Sequence, residues 1–116
     1  MVGLAKELRA TRTIQSREVV VPEWGDKDEP FKLYCRPITC YDLDVLQKKH
    51  PKFLQNQTIG AMVDLIVMKA VDVNGEKLFT SGEDRMDLMG EETTIISEIS
   101  SQMFADIESV EAHEKN

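Results

Sequence analysis

The sequence predicts an α+β fold, an N-terminal β-hairpin followed by a mainly α-helical bundle. Two observations carry this. Up to Arg36, two short β-branched or alternating runs have the two-residue period of strands; after Thr39, apolar residues recur at steps of three and four. The third observation is length, since 116 residues make one domain that can bury a core without a metal or a disulfide.

Residues 1–16 read as a flexible arm. Leu4, Ala5 and Leu8 have helical spacing, but so short a helix is marginal alone. The single domain is expected over 17–110. Its hairpin is placed at Glu18–Glu23 and Phe31–Arg36, joined by the charged turn from Gly25 to Pro30. Helices are expected over about 40–49, 58–72, 82–89 and 91–109. Thr39 and Asp42 have capping-box spacing, with Asp in place of the usual Glu, and Pro51 should stop the first helix at His50. Lys52–Gln57 is a connector.

The helix from Thr58 to about Val71 is the most apolar segment. Ile59, Met62, Val63, Ile66 and Ala70 form one stripe, and Leu65, Val67 and Met68 extend it most of the way round. Such a helix is either central or uses its second face at a subunit interface. Asn74-Gly75 signals a tight turn or a tiny hairpin. Ser81 and Asp84 have capping-box spacing before a short helix that Gly90 should end. The last helix carries Ile96, Ile99, Met103, Ile107 and Val110 as an amphipathic stripe, the first four of them expected inward, and residues 111–116 are expected as a flexible acidic tail.

The net charge of -7 is unevenly placed. Residues 1–80 hold 12 basic and 11 acidic side chains, whereas 81–116 hold 2 basic and 10 acidic. An acidic C-terminal third argues against nucleic acid, because phosphate contacts need clustered Lys and Arg. It suits a solvated helix face or docking to a basic partner. No apolar run reaches the roughly 18 residues of a membrane span. Cys35 and Cys40 are expected as reduced thiols, because no secretory signal precedes them.

No pattern of residues carries chemistry. Cys40 and His50 lie ten apart on one predicted helix, roughly 15 Å along its axis, too far for a nucleophile and its base. The two Cys and two His match no common zinc spacing, and the glycines are scattered rather than gathered in a phosphate loop. Asp42 and Asp44 read as helix cap and surface charge. No catalytic residue, metal or cofactor is expected. The candidate partner-binding residues are Trp24, Met62, Leu65, Met68, Met86 and Met89, since methionine adapts to irregular surfaces and tryptophan anchors interfaces. The alternative for the methionines is ordinary core filling. For Trp24 it is capping of the hairpin core over Pro22 and Tyr34.

Several segments together resemble a known family. They are Val19-Val20-Val21-Pro22-Glu23-Trp24-Gly25, the strand ending Arg36-Pro37-Ile38-Thr39, and the helix start Tyr41-Asp42-Leu43-Asp44. An apolar helix follows, then Asp72-Val73-Asn74-Gly75-Glu76-Lys77-Leu78-Phe79, a Ser-led short helix and a last amphipathic helix. In this order they resemble the tail assembly chaperones of long-tailed (siphovirus-type) bacteriophages and prophages, over roughly residues 4 to 108. The resemblance implies a non-enzymatic protein of the host bacterial cytoplasm, absent from the mature virion. It implies that the chain binds the tape-measure protein, keeps it soluble and helps recruit tail-tube subunits. The alternative is a small structural tail or adaptor component of the virion. An enzyme or a toxin–antitoxin partner is the third reading. Self-association into a ring or spiral is also expected, because the Thr58–Val71 helix looks too apolar for one core contact and the hairpin edge looks unpaired.

Overall fold

The computed structural model describes residues 3–10, 16–26, 28–80 and 82–115, with side chains described through Phe104. It is an α+β fold with its strands at the N-terminal end and its helices after them. Helix α1 (Leu4–Ala10) buries none of its residues. Strand β1 (Arg17–Val21) leads through a 3-10 turn at Pro22–Trp24 into β2 (Phe31–Cys35). Helices α2 (Cys40–Lys49) and α3 (Ile59–Lys69) follow, then β3 (Ala70–Val71), α4 (Glu83–Met89) and α5 (Thr93–Lys115).

The hairpin is antiparallel, with Val19 opposite Leu33 and Val21 opposite Phe31. Both strands alternate as their sequences require: Val19, Val21, Leu33 and Cys35 are buried, while Glu18 and Lys32 stay outside. β1 ends at Val21 rather than at Glu23. Pro22 cannot donate to the ladder, and the chain coils so that the Gly25 N–H reaches the Pro22 carbonyl at 3.1 Å.

The capping box at Thr39 forms as its spacing indicated. The Thr39 hydroxyl accepts from the Asp42 N–H at 3.1 Å, and the Asp42 carboxylate accepts from the Thr39 N–H at 2.9 Å. Asp44 pairs with Lys48 on the surface. α2 stops at Lys49, one residue before His50 and Pro51. The connector after it holds an unforeseen core residue, Phe53, which is fully buried against Phe104 with ring centroids 5.1 Å apart.

The apolar run from Thr58 does not remain helical to 72. α3 ends at Lys69, and Ala70 and Val71 turn extended to pair with Cys35 and Tyr34 of β2. A continuous apolar run suits a buried helix and a buried strand equally; the open side of β2 decides for the strand. The Asn-Gly segment then makes the small hairpin its signal implied. Gly75 takes φ 85, the Asp72 carboxylate accepts from the N–H groups of Asn74 and Glu76, and Lys77 bridges back to Val71.

Ser81 lies outside the described residues. Next to it, the Asp84 carboxylate accepts from both the N–H and the hydroxyl of Thr80. α5 begins at Thr93 rather than 91, with the Glu92 carbonyl accepting from Ile95 and Ile96. Its backbone runs on through Lys115, past the end expected near 109, with neither Gly nor Pro after Gly90 to stop it. Of its apolar stripe, Ile96, Ile99 and Met103 are each 1% exposed; the side chains of Ile107 and Val110 lie outside the described set, as does Asn116.

α3 is the central element, lying against α2, α4 and α5. Ala61, Val63, Leu65, Ile66 and Val67 are all buried. Most of its apolar character is therefore used inside one chain, with Ile59, Met62 and Met68 left partly exposed.

Neither edge of the sheet is open along its length. At β1, the side chain of Gln102 on α5 acts as a short stretch of strand: its Oε1 accepts from the Val20 N–H at 3.3 Å, and its Nε2 donates to the Val20 carbonyl at 3.2 Å. At β3, the returning chain adds the Val71–Lys77 bridge and a bond from the Leu78 N–H to the Ala70 carbonyl. At Val20 the hairpin edge expected to be unpaired thus meets a glutamine that no local pattern marks.

Candidate functional site

The five candidate partner-binding residues other than Trp24 separate into three groups. Leu65 is fully buried, so it is a core residue and meets no partner in the folded chain. Its place opposite the stripe on α3 is filled by the rest of the domain, which surrounds that helix. Met62 and Met68 are half-buried on α3, packed against the core at one side. Met86 and Met89 are 75% and 45% exposed on α4, although Leu88 between them turns inward. Two unbranched, polarizable side chains therefore stand in solvent on a helix that the core holds from behind.

Trp24 is half-buried, packed against the core. Its ring meets Phe31 and Phe79 edge-on at 6.0 and 6.1 Å, and its indole N–H donates to Glu91 at 2.9 Å. This joins the hairpin, the β3–α4 segment and the start of α5. The Glu91 carboxyl is held below its ordinary range by the Glu92 N–H and by that indole.

The main polar feature is one that the sequence reading passed over. Asp64, the sole acid in α3, is largely buried and accepts from three cationic or titratable side chains. Arg85 Nε of α4 reaches Oδ1 at 2.6 Å, while His50 Nε2 and Lys49 Nζ reach Oδ2 at 2.8 and 3.2 Å. Burial pushes the Asp64 carboxyl up, but the bonds from Arg85, His50 and Lys49 outweigh it and the net shift is downward. A lone carboxylate inside an apolar helix was the available signal, because such a group needs partners from elsewhere. A second pair ties α3 to α2. Lys69, 9% exposed, donates to Asp42 at 2.7 Å. Burial raises Asp42 too, and the Lys69 and Thr39 bonds bring its net shift below the ordinary value.

Beside Asp64 lies a groove of about 260 Å³ between α2 and α3, lined by Val45, Leu46, Lys49, Asp64, Val67, Met68 and Lys77. Four of these side chains are apolar, and Lys49 is paired with Asp64 within the lining.

Among the described side chains, the thiols and His50 are not brought together for chemistry. Cys35 is buried and Cys40 is exposed at the start of α2, with no disulfide between them. His50 stands beyond the other end of that helix, its Nε2 on Asp64. Among the described residues, no three His, Cys, Asp or Glu side chains gather as metal ligands, and no helix is long and apolar enough to cross a membrane. Among the described residues, the surface carries the accessible Met86 and Met89 and a groove lined by both apolar and charged side chains. Comparison with protein-family models, with curated proteins and with solved structures returned no match.

Proposed function

We propose that this chain is a phage tail assembly chaperone that binds the tape-measure protein, holds it soluble and helps recruit tail-tube subunits. The order of sequence segments from Val19 to the last amphipathic helix supports this reading. The structural observation that carries it is the exposure of Met86 and Met89 on a helix anchored through Leu88. A chaperone for a long helical client must cover apolar side chains of varied shape, and methionine adapts to them at small cost in fit. The net charge of -7 supports the second requirement, solubility of the complex.

Co-expression with the tape-measure protein of the encoding phage or prophage tests the proposal. The client is expected in the soluble fraction, co-purifying with this chain. The double variant Met86→Ser, Met89→Ser should lose roughly ten-fold in affinity for it while its melting temperature stays near that of the parent, since both side chains already meet water. A client that precipitates as before overturns the reading. Recovery of this chain in purified particles would instead favour a structural component.

A further inference from the structure

We propose that Arg85 is the positioning residue of the Met86–Met89 surface: by reaching Asp64 on α3 it fixes α4 in the orientation that presents both methionines. This rests on the client-binding reading and deepens it, naming what sets the geometry of that surface. α4 has seven residues, too few to hold a helix by themselves. Its N-cap, Gly82, supplies no side-chain hydrogen bond. The helix therefore depends on tertiary anchors. Its C-terminal end has two: Leu88 is buried, and just beyond α4 the Glu91 carboxylate accepts from the Trp24 indole at 2.9 Å. At the N-terminal end, Asp84 accepts from Thr80, an exposed contact that ties α4 only to its own loop. Among the described residues, the polar contact that carries this end onto α3 is that of Arg85.

The guanidinium has a shaped seat. Its Nε donates to Asp64 Oδ1 at 2.6 Å, while Lys49 and His50 hold the other oxygen. Gly60 stands one turn before Asp64 on the same face of α3. A Cβ placed there would lie 3.6 Å from Arg85 Nη2 and 3.8 Å from His50 Cε1, so the guanidinium rests over the glycine beside the imidazole. A planar fork fits this slot; a point charge on a flexible stem does not reproduce it. On α4, Arg85 and Leu88 are three apart, and so are Met86 and Met89, which puts the anchoring pair and the exposed pair on neighbouring faces. With Leu88 as the second fixed point, the Arg85–Asp64 contact sets the rotation of α4 about its axis, and thus the direction of both methionines.

Amide hydrogen exchange and the NMR signals of labelled methionine methyl groups, recorded on the full-length chain, test this without any client. In Arg85→Gln the α4 amides should exchange roughly tenfold faster and the Met86 and Met89 methyl signals should shift, while α3 and α5 keep their protection. Arg85→Lys keeps the charge without the fork and should fall between parent and Arg85→Gln. Towards the tape-measure protein, Arg85→Gln should lose roughly ten-fold in affinity. Added to the Met86→Ser, Met89→Ser variant it should cost nothing further, because both changes act through one surface. Unchanged exchange in α4, or protection lost equally in α3 and α5, overturns the positioning role. Faster α4 exchange with full client affinity overturns it as well. A parent chain that binds no client fails the client-binding reading instead, and α4 loosening in Arg85→Gln then still upholds the anchoring of α4 by Arg85.

Discussion

Ser100 shows how a single atom can stand against the packing around it. It is fully buried on α5, and its hydroxyl has no hydrogen-bond partner among the described residues. Its neighbours Ile96, Ile99 and Met103 are well packed, so the site has the burial of a core position without its chemistry. A buried hydroxyl left unpaired costs about 1–3 kcal/mol. Ser100→Ala should therefore stabilise the fold by about 1 kcal/mol, seen as a higher denaturant midpoint with an unchanged slope. A lower midpoint would mean that the hydroxyl is bonded. Ser100 reads as an ordinary polar helix residue in the sequence. Its burial follows only from the width of the face that α5 turns towards α3 and β1.

At the scale of elements, α5 does two kinds of work. Ile96, Ile99 and Met103 fill the core, and helical spacing alone places them inward. Ile99→Asp would bury an unpaired charge and should cost about 4 kcal/mol or more, read from chemical denaturation. An unchanged stability would mean that the stripe is not core. Gln102 does the other work, by closing the β1 edge. Gln102→Leu keeps the volume but leaves the Val20 N–H and carbonyl without partners, and should cost about 2 kcal/mol. It should also open β1 to strand pairing, seen as aggregation on mild heating. Hydrophobic period made the first role legible. The second joins residues 82 positions apart, and no local pattern records it.

For the whole molecule, two largely buried carboxylates bind the helices together. Asp64 ties α3 to α2 and α4, and Asp42 ties α2 to Lys69 at the end of α3. Both have folded-state pKa values below the ordinary aspartate value of 3.8, so the unfolded chain takes up protons first as pH falls. Stability from these groups is therefore fully present above that value and is lost as pH drops through the lower, folded ones. Unfolding free energy should be level, as far as these carboxylates set it, from about pH 7 to 5 and fall below about pH 4. In Asp64→Asn the acid-side loss should be shallower, because one of the two linked protons is gone. An identical pH profile would mean that Asp64 is not linked to folding.

The sequence by itself determined the features that depend on near neighbours. These are the hairpin, the Thr39–Asp42 cap, the stop before Pro51, the Asn-Gly turn, and the inward face of the last helix as far as Met103. Each rests on backbone stereochemistry or on a periodic pattern within a few residues. Tertiary structure alone decided that Ala70 and Val71 leave the helix for the sheet, that Phe53 anchors the connector, and that Leu65 is core while Met86 and Met89 are surface. It also gathered Lys49, His50 and Arg85 on Asp64 and set Gln102 against β1. The physical reason is common to all of these. An apolar residue or a lone buried charge states a need, but which distant segment meets it depends on how the elements pack.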